Sequence, residues 1–575
     1  MTDTRWIIEG QIDKRWPINT RGNVGEVFPE VLTALGYELG VIPAEAAWRD
    51  TYARLGIAAK GDFNTDDPVI IGLYGGYAYL NLSYLRMMGV RAPGSSAEAI
   101  DVAFFGEGSP PPYELRKGDK SIGSTVRILR TVLKALGTRE LPPVVDQAFE
   151  HVAEWEARRP DLDAPDDVLL AYLLEFPVAF GPAFGFHMET TAIAAIVSGV
   201  LADAAAAAGE PGLVTHLVGA AGDVKSAEYS QRLSELATLA RESDVVNPAF
   251  AAGIDGVLDR LEGVEGAGDF LEAFDAFISE HGHRGPNDWE LSSRTWDNTP
   301  ELALVALDRM RVTTHDMSPA SRLGDDTSKR AAAVEKIRPH LKFMDKGNFD
   351  KALLAAPFWA RGREATRDRA VRCALPAKQV YRELVRRAAE RGGDPDPVNV
   401  ALLSPTTELA EYLADPASKL EIIAERSALR DRFAAIEPPF FISSMDDVPT
   451  IEESESSQQP AASLAEPGDV LTGAAGCSGV ARGRARVIMD PADAMDLEPG
   501  EVLVAPITDP AWTPLFLPAA AVVVNVGALM SHAVIVSREL GIPCVVAVDG
   551  ATDRIRTGAL VEVDGTAGTI TILGE

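Results

Sequence analysis

Residues 526–546 read VGALMSHAVIVSRELGIPCVV, and their reading decides the fold of the C-terminal region. Ser531 is placed to cap a helix, because its hydroxyl can accept a hydrogen bond from an amide of the first turn. Gly541 suits the left-handed residue that closes such a helix, and Pro543 prevents continuation. The spacing predicts a helix running to about Leu540, between the Val-rich runs AAVVVNV and PCVVAV, which read as strands. It opens on His532, one of eight histidines in 575 residues. Unpaired amides and the helix dipole at a first turn favour an anion and lower an imidazole's proton affinity. A neutral ring there presents a nitrogen lone pair, which can act as a nucleophile and take a phosphoryl group. A histidine satisfied by local hydrogen bonds fits the same pattern.

Further Val/Ile-rich runs bounded by Gly, Pro and Asp lie on both sides: GVARGRARVIMD, GEVLVAPI and ALVEVDGTAGTITIL. Together they predict a compact α/β unit over 471–575. Residues 446–470, DDVPTIEESESSQQPAASLAEPGDV, are acidic, rich in Ser and Pro and poor in large apolar groups, so they read as a flexible linker. Twenty-five such residues have a root-mean-square span of about 25–30 Å. An ordinary surface loop is the alternative. From 1 to 445 the pattern is helical, with apolar residues at three- and four-residue spacing in DVLLAYLLEFPVAF, SQRLSELATLARES and AKQVYRELVRRAAERGG. Gly392–Gly393 reads as a C-cap. The fold class is therefore multidomain, a large mainly α-helical domain joined to a small C-terminal α/β domain.

A net charge of −31 argues against a nucleic-acid backbone or an anionic membrane as partner. Three cysteines, Cys373, Cys477 and Cys544, are too few and scattered for a disulfide framework or a zinc site. The charged N-terminus lacks a signal-peptide core, and TAIAAIVSGVLADAAAAAG reads as a buried helix rather than a membrane span. The expected location is cytoplasmic. RKGDKSIGS reads as a solvated loop rather than a nucleotide site, and no GxxxxGK[ST] phosphate loop is present.

In the helical region, HGHRGPNDWEL gathers His281, His283, Arg284, Asp288 and Glu290, with no standard zinc spacing. It reads either as part of a site or as an ion-pair network that holds helices together. GREATRDR places Arg363, Glu364 and Arg367 at i, i+1 and i+4, so two guanidinium groups share a helix face about 6 Å apart. Such a pair can clamp a transferring phosphoryl group, and Glu364 could take the proton of an acceptor hydroxyl. An exposed charged face is the alternative.

The segment from GVARGRARVIMD through TDPAWTPLF and SHAVIVSRELGIP resembles the swivelling phosphohistidine domain of the phosphoenolpyruvate-utilising enzymes over essentially all of 471–575. Ala528 stands where that family usually has a second glycine. The resemblance implies that His532 is the phosphoryl carrier. More loosely, TRGNVGEVFPEVLTALGY, GGYAYLNLSYL, HGHRGPNDWELSSRTW and GREATRDRAV occur in the order found in the substrate-binding domain of rifampin phosphotransferase. Arg367 stands where that enzyme has a lysine. The resemblance implies an acceptor domain over 1–445 that carries His283, Arg284, Asp288, Glu290, Arg363, Glu364 and Arg367. Nothing in the chain resembles the ATP-grasp module or the phosphoenolpyruvate barrel of the family. The expectation is a phosphotransferase with no tightly bound cofactor or metal, charged by ATP and Mg²⁺ through an ATP-grasp subunit in trans, as in phenylphosphate synthase. Its acceptor is expected to be a small hydroxylated compound, aromatic or apolar. A phosphoryl relay to another protein, and charging by phosphoenolpyruvate, are the alternatives.

Overall fold

Apolar side chains at helical spacing gather the first part of the chain around one 42-residue helix, Asp166–Ala207. The computed structural model describes residues 10–574 apart from positions 60, 64–66, 94, 106–109, 211–212, 220–224, 313–318, 452–462, 490–496, 509–511, 517 and 528–530. The long helix packs on helices Ile42–Arg54, Pro143–Ala157, Phe343–Arg372 and Ala374–Glu390. By length and composition it could cross a membrane. Yet Leu169, Leu173, Phe176, Val197 and Leu201 are buried in the helical core, each worth about 1.5–3 kcal/mol relative to exposure. Gly392, at φ 90°, follows helix Ala374–Glu390 as its left-handed stop.

The body is mainly helical, as the sequence pattern suggested, and also carries a small sheet. A four-stranded antiparallel sheet runs in the order Ile71–Tyr74, Tyr77–Asn81, Asn19–Thr20, Phe441–Ile442. Two of these strands are only two residues long, too short for alternation to register. The hairpin turns on Gly75 and Gly76, both at positive φ (56° and 79°), which is why two glycines stand there.

The C-terminal domain is built on an eight-stranded mixed sheet. Its parallel centre consists of Val480–Val487, Val502–Ala505, Ala521–Val524 and Cys544–Val546. Leu503, Val522 and Val524 pack with Phe516 and Val534 on one face, while Val502, Val504 and Val523 pack with Ile555, Val561 and Ile570 on the other. Burial on both faces explains the unbroken valine runs. Helix His532–Leu540 lies where the sequence placed it, with Ser531 Oγ accepting from the Val534 amide at 3.4 Å and Gly541 at φ 65°.

The end of the segment 446–470, expected as a linker, is hydrogen-bonded to the C-terminal sheet. Residues 452–462 and Ala528 lie outside the described residues. The Ala465 amide, however, donates to the Arg554 carbonyl, the Gly468 amide donates to the Ile572 carbonyl, and Val470–Thr472 is an edge strand. The end of that segment thus belongs to the C-terminal domain.

Candidate active site

The carrier helix meets the helical body at its N-terminal end. The His532 backbone amide donates to Glu26 Oε2 at 3.0 Å, and Glu26 sits on the short helix Val24–Val27 of the first motif. Arg21 steadies that turn by donating to the carbonyls of Ala78 (2.6 Å) and Phe28 (3.0 Å) from beneath Tyr77. Thr508 Oγ1 lies 3.2 Å from His532 Nδ1, and Phe516 meets the ring edge-on at 5.7 Å. The imidazole pKa is pushed down to about 3, first by burial and then by Arg367 and Arg284, with Glu364 opposing. The direction agrees with the sequence expectation, but the cause differs. Enclosure and two arginines from the body act on the ring, and a carboxylate from the body takes the helix amide expected to face an anion.

Arg367 comes, with Arg363, from helix Phe343–Arg372, which is locked to the long helix by a 2.7 Å hydrogen bond between Thr190 and Thr366. Arg363 Nε and Nη2 both donate to Glu364 Oε1, at 2.9 and 2.7 Å. Burial acts to raise the Glu364 carboxyl, but Arg363 and Arg367 outweigh it and hold it below the usual carboxylate range. Arg367 lies 3.9 Å from Asp288 Oδ1 and 5.9 Å over the Trp289 ring. With side chains 28% and 22% exposed, Arg363 and Arg367 do not form the solvated face that was the alternative.

HGHRGPNDWEL forms an ion-pair network directed at this turn. His283 Nε2 and Arg284 Nη2 both contact Asp368 Oδ1 at 3.0 Å, and Arg369 holds Oδ2 at 2.9 Å. Burial opposes ionisation of Asp368, yet His283 and Arg284 keep its carboxyl well below the ordinary range. Arg284 Nη1 also reaches Asp288 at 3.5 Å. Glu290 points elsewhere, accepting from Thr33 Oγ1 at 2.9 Å and so tying this motif to the first one. The four dispersed motifs are thereby brought together: GGYAYL holds Arg21, TRGNVGEV supplies Glu26, and the other two supply the charges. Of the residues named from the sequence, His532, Arg284, Asp288, Arg363, Glu364 and Arg367 gather at the joint between the domains, His283 braces Arg284 behind it, and Glu290 stands apart.

Sequence reasoning missed Glu26, Thr508, Asp368 and His187. The first three lie inside or beside motifs already singled out. His187 lies in the long helix, and its pKa is pushed down to about 3 by burial and then by Arg367 and Arg363. Its ring lies 6.3 Å from both Phe184 and Trp289. An aromatic-rich run, EFPVAFGPAFGFH, was the only local sign of it.

Fold and site together define a two-part molecule, an arginine-bearing helical body and an α/β domain that lays one histidine against it. Residues 497–568 match the family model for the PEP-utilising enzyme mobile domain, and residues 186–369 match that for the rifampicin phosphotransferase fourth domain. An uncharacterized protein of Mycobacterium tuberculosis is 35% identical over 431 residues, covering 74% of this chain and 44% of its own length. A rifampicin phosphotransferase of Streptomyces sp is 30% identical over 391 residues, 64% of this chain and 42% of its own. That of Bacillus subtilis is 28% identical over 324 residues, 55% and 36% respectively. The chain is thus similar to the rifampicin phosphotransferases, and its C-terminal domain to the mobile domain of the PEP-utilising enzymes, while it spans less than half the length of these relatives.

Proposed function

We propose that the chain is the carrier and acceptor part of a phosphotransferase that works through phosphohistidine at His532. The observation that carries this reading is the docking of the carrier helix on the body, where the His532 amide donates to Glu26 at 3.0 Å and the ring lies within electrostatic reach of Arg367 and Arg284. Nδ1 lies 3.2 Å from Thr508 Oγ1; we assign the ring proton to Nδ1, so that Nε2 keeps the lone pair and is the atom assigned to phosphorus. In charging, the Nε2–P bond forms as the donor's P–O bond breaks. In discharge, an acceptor oxygen bonds to phosphorus, the N–P bond breaks and neutral imidazole is restored. Transfer through a loose transition state requires mainly alignment and positive charge. Arg363 and Arg367 are assigned to the phosphoryl oxygens, Glu364 and Asp288 to orienting them, and Asp368 with His283 to bracing Arg284. Glu290 is assigned to holding the first motif in place.

Following the resemblance, the donor is ATP with Mg²⁺ on an ATP-grasp subunit in trans, and residues from about 471 onward move between that subunit and the body. The acceptor is a small hydroxylated compound. Its aromatic or apolar character is supported by Phe180, Phe184 and Trp289, which pack together beside Arg367.

Intact-mass measurement at mildly alkaline pH, which preserves phosphohistidine, tests the reading. The chain is incubated with Mg-ATP alone and with Mg-ATP plus host lysate. One phosphoryl group on His532, only with lysate, is expected, and none on His532→Ala, which keeps its circular dichroism. Labelling of His532→Ala would sink the carrier assignment, and labelling by ATP alone would remove the partner.

A further inference from the structure

Transfer to a hydroxyl group needs somewhere for its proton to go, and Glu364 is badly suited to take it. Its carboxylate is engaged by two donors of Arg363 and held in the ionised, weakly basic form. Within the same cluster lies a histidine that the carrier chemistry leaves unused. His187 stands one turn before Thr190, whose hydroxyl meets Thr366 between Arg363 and Arg367. His187 and His532 both feel Arg367 and Glu364, one from the long helix and one from the carrier helix. Both rings thus lie within electrostatic reach of the Arg363–Arg367 turn. Around His187 are Phe184 at 6.3 Å, Trp289 at 6.3 Å and, beyond them, Phe180, 6.2 Å from Trp289. Trp289 Nε1 is buried and meets no hydrogen-bond partner among the described residues, a donor poorly accounted for by packing alone. Arg367 lies over the face of the same indole.

We infer that Phe180, Phe184 and Trp289 bind the ring of a phenol-like acceptor, and that His187 beside them takes the proton from its hydroxyl. This rests on the phosphotransferase reading above and names the acceptor side of that same site. Trp289 Nε1–H is the donor that orients the acceptor oxygen. As the acceptor O–P bond forms and the His532 Nε2–P bond breaks, the hydroxyl proton passes to His187, then to solvent after product release. His532 leaves as neutral imidazole with its Nδ1 proton, so charge and protons balance. The two arginines explain why the base is quiet in the resting molecule. Their positive charge, added to burial, keeps His187 neutral and weakly basic. A phosphoryl dianion arriving between them cancels that charge and raises the proton affinity of His187 when the acceptor must be deprotonated.

The test uses the full chain charged directly at His532 with potassium phosphoramidate, and follows loss of the phosphoryl group by intact mass after adding phenol or 4-nitrophenol. Phenol is protonated near neutral pH and needs a base, whereas 4-nitrophenol is largely ionised and does not. His187→Gln is expected to slow discharge to phenol by about 100-fold and leave discharge to 4-nitrophenolate unchanged. Equal losses with both acceptors would show a structural role, and no loss with either would show that His187 is not the base. Wild-type chain that charges but keeps its phosphoryl group with both acceptors would overturn the phenol-like class. A chain that does not charge at His532 would instead overturn the phosphotransferase reading beneath it.

Discussion

The two halves of the joint solve different problems. In the C-terminal domain, one nine-residue helix with a local serine cap and a left-handed glycine stop fixes the position of one reactive group. In the body, the groups around it come from Glu26, Arg284 and the 363–368 turn, and the long-range ion pairs Arg284–Asp368 and Arg367–Asp288 hold the arginines in place. The carrier brings a nucleophile with few charges of its own, and the body brings the field. One consequence is that the body's arrangement is the more fragile. A helix cap misplaces one end of one helix when it is lost, whereas a buried charge left unpaired disturbs every element that touched it.

The largest expected effect tests that asymmetry. Asp368→Ala removes the carboxylate shared by His283, Arg284 and Arg369. It should cost the body about 3–5 kcal/mol, because Arg284 is left buried without its principal counter-charge. The carboxyl is held low in the folded state, so this stabilisation is present above the unfolded value of about 3.9 and fades as pH falls toward the folded one. Hydrogen exchange read by mass spectrometry should show lost protection in helix Phe343–Arg372 and unchanged protection in the strands from Val502 to Val546. Equal loss in both would mean that the two regions are one cooperative unit.

A smaller effect concerns the joint itself. Docked, His532 is held neutral by enclosure and by Arg367 and Arg284. Undocked, it regains water and a pKa near about 6.5. The undocked form therefore binds more protons below that value, and docking should weaken by about tenfold per pH unit as pH falls below about 6.5. Small-angle scattering of the full chain should show expansion between about pH 7.5 and about pH 5.5 that His532→Ala reduces. An identical response in the variant would assign the effect to Glu26, Glu364 or other carboxylates.

The same contrast explains what could be read in the sequence. The carrier helix, its cap and its stop are local and all lie within SHAVIVSRELGIP, and the flanking strands Ala521–Val524 and Cys544–Val546 stand close on either side. The direction of the His532 shift was legible too, since it follows from any cause that disfavours an imidazolium. Its true cause was not, because Arg284 and Arg367 are far away in the chain. Glu26 and Asp368 could be seen as acidic residues in motifs, but nothing local shows that one meets the His532 amide and the other gathers two arginines and a histidine. His187 was hidden for a different reason. In a helix packed on several others, a histidine among phenylalanines has the spacing of a core residue.

Glu26 gives the smallest effect and the most discriminating one, because its sign should depend on the state of the carrier. With His532 unmodified, the Glu26 carboxylate accepts from the first amide of the carrier helix and complements the helix dipole. Glu26→Gln keeps an acceptor but removes the charge, and should weaken docking by about 1 kcal/mol. With His532 phosphorylated, the phosphoryl group and Glu26 share one helix end, and like charges at that distance repel. There the same substitution should strengthen docking, by a comparable amount that shrinks with added salt. Scattering on both forms of both proteins would read the two signs. Opposite signs would mean that the body grips a discharged carrier more firmly than its own charge allows it to grip a loaded one, leaving Arg363 and Arg367 to offset the difference during transfer. A single sign would mean that the phosphoryl group swings clear of Glu26, and that the 3.0 Å contact belongs to the unloaded state alone.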